Sequence, residues 1–114
     1  MERARRITSA DDFGRAREQG RAFRDARLVI LVRPNGLQTT RFGFITGKRL
    51  GKAVVRNRLR RLLREAARSL CADTRDGFDV VIIATRQAVG SSYHAIRESM
   101  QALFHRAGLL ADEG

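Results

Sequence analysis

Cysteine is nearly absent from this sequence, and so are long apolar runs. The single thiol, Cys71, cannot form an internal disulfide, and it has no Cys or His neighbours at the spacing of structural zinc sites. No apolar segment approaches the length of a membrane span. The first residues, MERARRITSADD, carry charges where a signal peptide has its apolar region. We therefore expect a cytoplasmic protein without a disulfide, a zinc site or a membrane segment.

Acidic residues are also scarce. Twelve Asp and Glu stand against twenty-three Lys and Arg, which gives a formal net charge of +11. Such a charge repels itself and is relieved by a polyanion, so a nucleic-acid partner is the leading interpretation and an acidic membrane surface the second. The acids are scattered, and from the sequence we expect neither His94 nor His105 to have a local partner for acid–base chemistry. The composition argues against an autonomous nuclease, and we assign no catalytic residue and no metal ligand to the protein.

The length of 114 residues predicts one domain with one modest core. Hydrophobic residues make up 43% of the chain, so the excess of positive charge does not imply disorder. There are no internal repeats, no low-complexity segment and no linker long enough to divide the chain. We expect a single domain over residues 1–114, with residues 109–114 forming a frayed tail.

Local patterns predict six elements in the order helix, strand, strand, helix, strand, helix. Ser9 and Gly20 bound the first helix, and the last helix lies between Ser92 and Gly108. Apolar runs rich in β-formers and closed by turn residues predict the strands. The first four elements and the third strand are expected at about residues 9–19, 21–34, 40–46, 53–70 and 78–84.

This order predicts an α+β fold, a two-layer sandwich in which the helices pack mainly on one face of a mixed sheet. We expect the first two strands to pair through a hairpin-like connection at Asn35 and Gly36. The second strand, the long helix and the third strand form a β-α-β unit. The third strand, FDVVIIA, is typical of a strand covered on both faces, so it should lie centrally in the sheet.

The segment from Lys48 to Arg68 combines nine basic residues with an apolar stripe at helical spacing. Guanidinium stays charged, binds phosphate through two N–H groups and stacks on bases. The pattern therefore indicates a helix that docks on a core and presents an RNA-binding face, on which Glu65 pairs with Arg61. The predicted core side holds Leu59, Leu62, Leu63, Ala66 and Leu70, and the predicted basic side holds Arg56, Asn57, Arg60, Arg61, Arg64 and Arg68.

The segment FGFITGKRLGKAVVRNRLRRLLREAAR resembles the signature of the bacterial ribonuclease P protein subunit, and the likeness extends along almost the whole chain. The resemblance implies a small basic protein that joins a catalytic RNA and assists removal of the 5′ leader from precursor tRNA, with no obligate protein partner. It implies that the RNA, with bound Mg²⁺, carries out the hydrolysis. It also implies a left-handed β-α-β crossover, against the usual preference. The signature residues are Gly51, Ala53, Val54, Arg56, Asn57, Arg58, Arg61, Arg64 and Glu65.

The resemblance implies two binding surfaces. The single-stranded leader would lie in a cleft between the first helix and the sheet, at Phe13, Arg17, Leu31 and Arg86. Phe13 matches an aromatic position of the family and is equally a candidate core residue, whereas Arg17 and Leu31 stand where relatives often have aromatics. Leader contact is therefore expected to rely more on charge. The catalytic RNA would contact Lys48, Arg49, Lys52, Arg56, Asn57, Arg58, Arg60, Arg61, Arg64 and Arg68.

Other functions fit parts of the pattern. The main alternative is a stand-alone RNA-binding or ribosomal-type protein without a ribozyme partner. A helix that reads the DNA major groove would place Asn, Gln or Arg at a few base-reading positions, whereas arginine is dense and nearly uniform here. A membrane-surface helix would need exposed bulky apolar residues, which the predicted core uses.

Overall fold

The computed structural model describes residues 5–110, and its regular elements follow the order α-β-β-β-α-β-α. The helices are α1 (Ala10–Gln19), α2 (Ala53–Cys71) and α3 (Tyr93–Arg106). The strands are β1 (Arg21–Arg24), β2 (Leu28–Pro34), β3 (Arg41–Ile45) and β4 (Phe78–Ala84). Two single-turn 3-10 helices, Lys48–Leu50 and Arg86–Ala88, follow β3 and β4.

The predicted helix boundaries are confirmed by their caps. The Ser9 hydroxyl accepts hydrogen bonds from the backbone N–H groups of Asp11 and Asp12, at 3.2 and 3.4 Å. The Ser92 hydroxyl accepts one from Ala95 at 3.1 Å. Gly108 follows α3 with φ of 74°, a conformation that glycine adopts without strain. Within residues 5–110, no helix is both long enough and apolar enough to cross a membrane.

The four strands form one sheet in the order β1-β2-β4-β3. β2 is antiparallel to both β1 and β4, whereas β3 is parallel to β4. The β3-α2-β4 segment is therefore the predicted β-α-β unit, and β4 holds the predicted central position. Its two apolar faces explain the placement, because Val80 and Ile82 face one core cluster while Val81 faces the other.

The predicted hairpin between the second and third observed strands is wrong. β2 pairs with β4 over seven residues, from Leu28 opposite Ala84 to Pro34 opposite Phe78. The chain leaves β3 through α2 and returns as β4 between the two strands that were expected to be neighbours. Inserting the most apolar strand there buries it between two partners, which a β2–β3 hairpin would have prevented.

The predicted first strand, residues 21–34, is two strands joined by a tight turn. The Asp25 carboxylate accepts hydrogen bonds from the backbone N–H groups of Arg27 and Leu28, both at 2.9 Å. This local bonding by an aspartate side chain reverses the chain. β1 then pairs back on β2, with Phe23 opposite Ile30.

The core lies mainly between the sheet and the pair α2 and α3. Phe42 of β3 stacks on Phe104 of α3, with ring centroids 6.1 Å apart. A smaller cluster on the opposite face joins α1 to the sheet through Ile7, Ala16 and Val81. Two helices on one face and one on the other confirm the predicted α+β class.

The predicted frayed tail is wrong for its first two residues. Leu109 is fully buried, and its carbonyl accepts a hydrogen bond from the Arg75 backbone N–H at 2.7 Å. Leu110 forms a β-bridge with Thr74. The apolar side chain of Leu109 thus closes the core beyond α3, and residues 111–114 lie outside the described part of the chain.

Candidate nucleic-acid interface

One side of α2 packs on the core, as its apolar spacing predicts. The buried side chains are Leu59, Leu63, Ala66, Ala67 and Leu70. Leu62, which was expected in the core, is only half-buried. It lines a surface groove of about 180 Å³ together with Val55 of α2 and Val89 and Gly90 of the loop before α3. At 100° per residue Leu62 falls at the edge of the apolar stripe, where the loop covers it incompletely.

The opposite flank of α2 carries Arg56, Arg60 and Arg64, one turn apart from each other. Arg60 is held in place: its Nη2 donates to the Thr46 hydroxyl at 2.8 Å, and its Nη1 donates to Asn57 Oδ1 at 3.1 Å. Thr46 is buried just beyond β3, so this contact fixes the arginine row beside the edge strand of the sheet.

Arg56 and Arg64 differ from Arg60 in having no acceptor among residues 5–110. Their Nε atoms are buried, and neither side chain makes a hydrogen bond or an ion pair with any residue in the described range 5–110. A guanidinium carries five N–H donors, and buried donors need acceptors. These two groups are therefore available to an external acceptor such as a phosphate oxygen.

The remaining predicted cations of this surface are exposed: Lys48, Arg49, Lys52, Arg58, Arg61 and Arg68. The first two lie on the 3-10 turn after β3, and Lys52 precedes α2 without a side-chain cap. The uncapped first turn leaves backbone N–H groups at the positive end of the helix dipole. The expected pair of Glu65 with Arg61 is wrong. The Glu65 carboxylate instead lies 3.8 Å from Arg68 Nη1, three residues later in α2.

Two of the proposed leader residues, Phe13 and Leu31, pack on the other face of the sheet. Phe13 is half-buried over β3, where a Cβ on Gly43 would lie 2.5 Å from the Phe13 ring. Leu31 of β2 packs in the same small cluster as Phe13. Arg17 and Arg86 are both exposed, and Arg17 lies one helical turn after Phe13 on α1. Arg86 lies on the 3-10 turn after β4. Phe13, Leu31 and Arg17 thus lie on α1 and the strand that it contacts, whereas Arg86 lies beyond the end of β4.

Sequence reasoning misses an ion-pair network on this same face. Asp79 of β4 is fully buried, and its two carboxylate oxygens accept from Arg41 Nε and Nη2 at 2.9 and 2.8 Å. Asn35 donates to the same carboxylate at 3.0 Å, and Arg33 Nη1 lies 3.6 Å away. The side-chain hydrogen bonding to Asp79 raises the pKa of Arg41. An acid inside the apolar strand FDVVIIA is the signal that could have revealed this network.

The network continues into α1. Asp12 Oδ2 is 3.3 Å from Arg41 Nη1, and Asp12 Oδ1 is 2.9 Å from Arg15 Nη1. The carboxylates of Asp12 and Asp79 are therefore both occupied by guanidinium groups. Nowhere in residues 5–110 do three His, Cys, Asp or Glu side chains converge to hold a metal ion.

Comparison with known proteins identifies the family of this chain. The family model described as Ribonuclease P matches residues 1–108. The ribonuclease P protein component of Symbiobacterium thermophilum is 42% identical over 115 residues, covering all of both chains. That of Caldanaerobacter subterraneus is 33% identical over 112 residues, covering 98% of this chain and 97% of its own.

Solved structures give the same answer for the fold. A mutant RNase P protein from Staphylococcus aureus superposes with a TM-score of 0.89 at 27% identity, covering 96% of this chain and 93% of that chain. The RNase P protein from Thermotoga maritima gives a TM-score of 0.82 at 28% identity, covering 89% of this chain and 96% of that chain. The chain therefore belongs to the ribonuclease P protein component family, whose members are subunits of an endoribonuclease complex.

Proposed function

We propose that this subunit binds the catalytic RNA of ribonuclease P through α2 and the basic turn before it, and that it holds the 5′ leader of precursor tRNA against α1 and the sheet. The observation that carries the proposal is the arginine row of α2, in which Arg56 and Arg64 make no hydrogen bond or ion pair within the described residues. Membership of the family supplies the RNA partner, and the row supplies the surface that such a partner needs.

The chemistry of the α2 surface suits an RNA backbone. Guanidinium groups bind phosphate through paired N–H donors, and each phosphate contact releases counterions from the RNA. Arg60 is already fixed by Thr46 and Asn57, so it loses little side-chain entropy when a phosphate docks on it. The exposed Lys48, Arg49 and Lys52 extend the positive field to the start of the helix.

The opposite face suits a single strand. Phe13 and Leu31 offer an apolar surface on which a base can stack, exposed Arg17 follows Phe13 by one turn of α1, and exposed Arg86 lies on the turn after β4. Because only one aromatic ring is present here, we assign a larger share of leader binding to charge than to stacking. A cleft of this kind would favour precursor over mature tRNA, since only the precursor carries a leader.

Hydrolysis is assigned to the RNA. Asp12 and Asp79 are occupied by arginines. His94, which was expected to have no local partner, lies 3.7 Å from Glu98, but both side chains are exposed on α3. Mg²⁺ would be held mainly by the RNA, where it would supply the charge that activates water and stabilises the leaving oxygen. The protein's part is to lower the electrostatic cost of bringing two RNAs together. We place this work in the cytoplasm, without an obligate protein partner.

Reconstitution tests the proposal. The purified chain is combined with a bacterial ribonuclease P RNA, and cleavage of precursor tRNA is followed at low and high Mg²⁺. We expect the protein alone to be inactive, the RNA alone to cut only at high Mg²⁺, and the complex to cut at low Mg²⁺. Cleavage by RNA-free protein would contradict the assignment of catalysis. An absence of stimulation at low Mg²⁺ would favour a stand-alone RNA-binding protein.

A further inference from the structure

Two neighbouring residues of α1 contact two positions of β3. Asp12 Oδ2 lies 3.3 Å from Arg41 Nη1, and the Phe13 ring fills the space above Gly43. Arg41 and Gly43 are two residues apart on a strand, so they share a face of the sheet. α1 is thus attached to the edge strand at two adjacent points, one charged and one aromatic.

On the sheet side of this ion pair, the Arg41 guanidinium is held in one orientation. Asp79 is fully buried, and its carboxylate accepts hydrogen bonds from Arg41 Nε and Nη2. These two bonds direct Nη1 towards α1. Asn35 donates to Asp79 as well, so the carboxylate cannot turn freely. Arg41 therefore presents its Nη1 group to Asp12 in one orientation, set by β4 and not by α1.

The helix dipole accounts for an acid in the first turn of α1, but not for its place beside an anion-binding cleft. An acid on the element that borders an anion-binding cleft repels the ligand, unless cations neutralise it. Asp12 is neutralised twice, by Arg41 and by Arg15 at 2.9 Å. Partly buried ion pairs add little net stability because desolvation offsets their attraction, but they can specify one arrangement among several. Placement of α1 is the property that such a pair can set.

We infer that Asp12 and Arg41 are positioning residues of the leader cleft: their ion pair fixes α1 over β3 and so holds the Phe13 ring where a leader base stacks. The inference rests on the proposed function, because it assumes that the leader contacts Phe13. It adds residues that touch no RNA. Their effect should appear in the preference for leader-bearing substrate and not in binding of the catalytic RNA.

Asp11 provides a matched control for Asp12. Both lie in the first turn of α1. The Ser9 hydroxyl accepts a hydrogen bond from the backbone N–H of each, so neither carboxylate takes part in the cap. Asp12→Ala and Asp11→Ala therefore raise the net charge equally and remove the same helix-dipole interaction. Of the two, only Asp12 contacts Arg41 and Arg15, so Arg15→Ala, which removes the second pair alone, is a further control. Arg41 keeps its paired bond to Asp79 in both variants, so neither leaves a buried charge without a partner.

The experiment measures holoenzyme affinity for precursor tRNA with a leader and for the same tRNA without one. We expect Asp12→Ala to reduce the preference for leader about fivefold or more, the lower end of what a base–aromatic stack contributes, and Asp11→Ala to leave it unchanged. Phe13→Ala should also reduce the preference. The double variant should lose no more than Phe13→Ala alone, because both changes act through the same ring. Asp12→Asn, which keeps the shape of the side chain, provides a second test if Asp12→Ala melts at a lower temperature.

The outcomes separate the inference from the proposed function. If Phe13→Ala lowers the preference but Asp12→Ala and Asp12→Asn match Asp11→Ala, the positioning role is wrong and the cleft stands. If the losses of Asp12→Ala and Phe13→Ala add, Asp12 acts independently of the ring and the inference is again wrong. If Phe13→Ala leaves the preference for leader-bearing tRNA unchanged, both the proposed leader cleft at Phe13 and the positioning role of Asp12 are wrong.

Discussion

The Phe13 ring occupies the space that a Cβ on Gly43 would need: that carbon would lie 2.5 Å from ring atom Cε1 and 2.8 Å from Cζ. The absence of a side chain on β3 is therefore what lets α1 approach the sheet. It also explains how one residue serves as a core contact and as a candidate stacking surface. Part of the ring packs on Gly43, and the rest of the side chain is partly exposed.

Gly43→Ala should displace the Phe13 ring. Forcing a methyl group into an occupied space typically destabilises a protein by about 1 to 3 kcal/mol. Urea or thermal unfolding would measure the change in the free energy of unfolding, and Gly47→Ala is the control, because a Cβ at Gly47 meets nothing within 4 Å. Equal stability of the two variants would mean that the ring moves aside freely.

Leu63→Ala and Leu62→Ala should differ although the two leucines are adjacent. Leu63 is fully buried, so its truncation should cost about 2 to 5 kcal/mol of unfolding free energy. Leu62 borders a surface groove and is already half-exposed, so its truncation should cost clearly less. Thermal melts of the two variants check this, and a larger loss for Leu62 would show that the groove closes over it in solution.

Arg56→Ala and Arg64→Ala should weaken assembly with the catalytic RNA without lowering the melting temperature, since neither side chain bonds to the described protein. For each phosphate that a variant no longer neutralises, the slope of log affinity against log salt should become shallower by about 0.7 to 0.9. Arg75→Ala, which removes an exposed charge after α2, should leave the slope unchanged. Weaker binding with an unaltered slope would argue against phosphate binding at these positions.

Arg17→Ala should reduce the affinity for leader-bearing precursor more than the affinity for mature tRNA. The loss should fade as salt is raised, because an exposed charge is screened within about 10 Å at 0.1 M salt while a stack is not. Phe13→Ala should show a loss of about 1 to 3 kcal/mol in binding that persists at high salt. Binding assays at two salt concentrations distinguish the two, and a salt-independent effect of Arg17→Ala would assign it a stacking role.

Helices and the polarity of α2 can be predicted from sequence because their signals are local. Ser9, Ser92 and Gly108 act on backbone groups within a few residues, and the apolar stripe of α2 needs only its own periodicity. The central position of β4 can also be predicted, because a strand that is apolar on both faces is buried only inside a sheet that is covered on both sides.

Strand pairing cannot be predicted in the same way. Whether β2 meets β3 or β4 depends on the path of a 19-residue helix, which no local signal records. The Asp25 turn escapes prediction because residues 21–27, RAFRDAR, contain no glycine or proline to mark a turn. The Asp79 network cannot be predicted for a related reason. Two partners of Asp79, Asn35 and Arg41, are 44 and 38 residues away from it in sequence. The sequence does not reveal that their segments lie beside β4.

The insertion of β4 between β2 and β3 has a consequence for synthesis of the protein. A growing chain that stops before Phe78 contains β1, β2, β3 and the whole of α2, yet it lacks the strand that joins β2 to β3. The sheet cannot close, and α2 has no complete core on which to dock its apolar side. The arginine helix thus emerges from the ribosome before its own support does, so folding must wait for the last third of the chain.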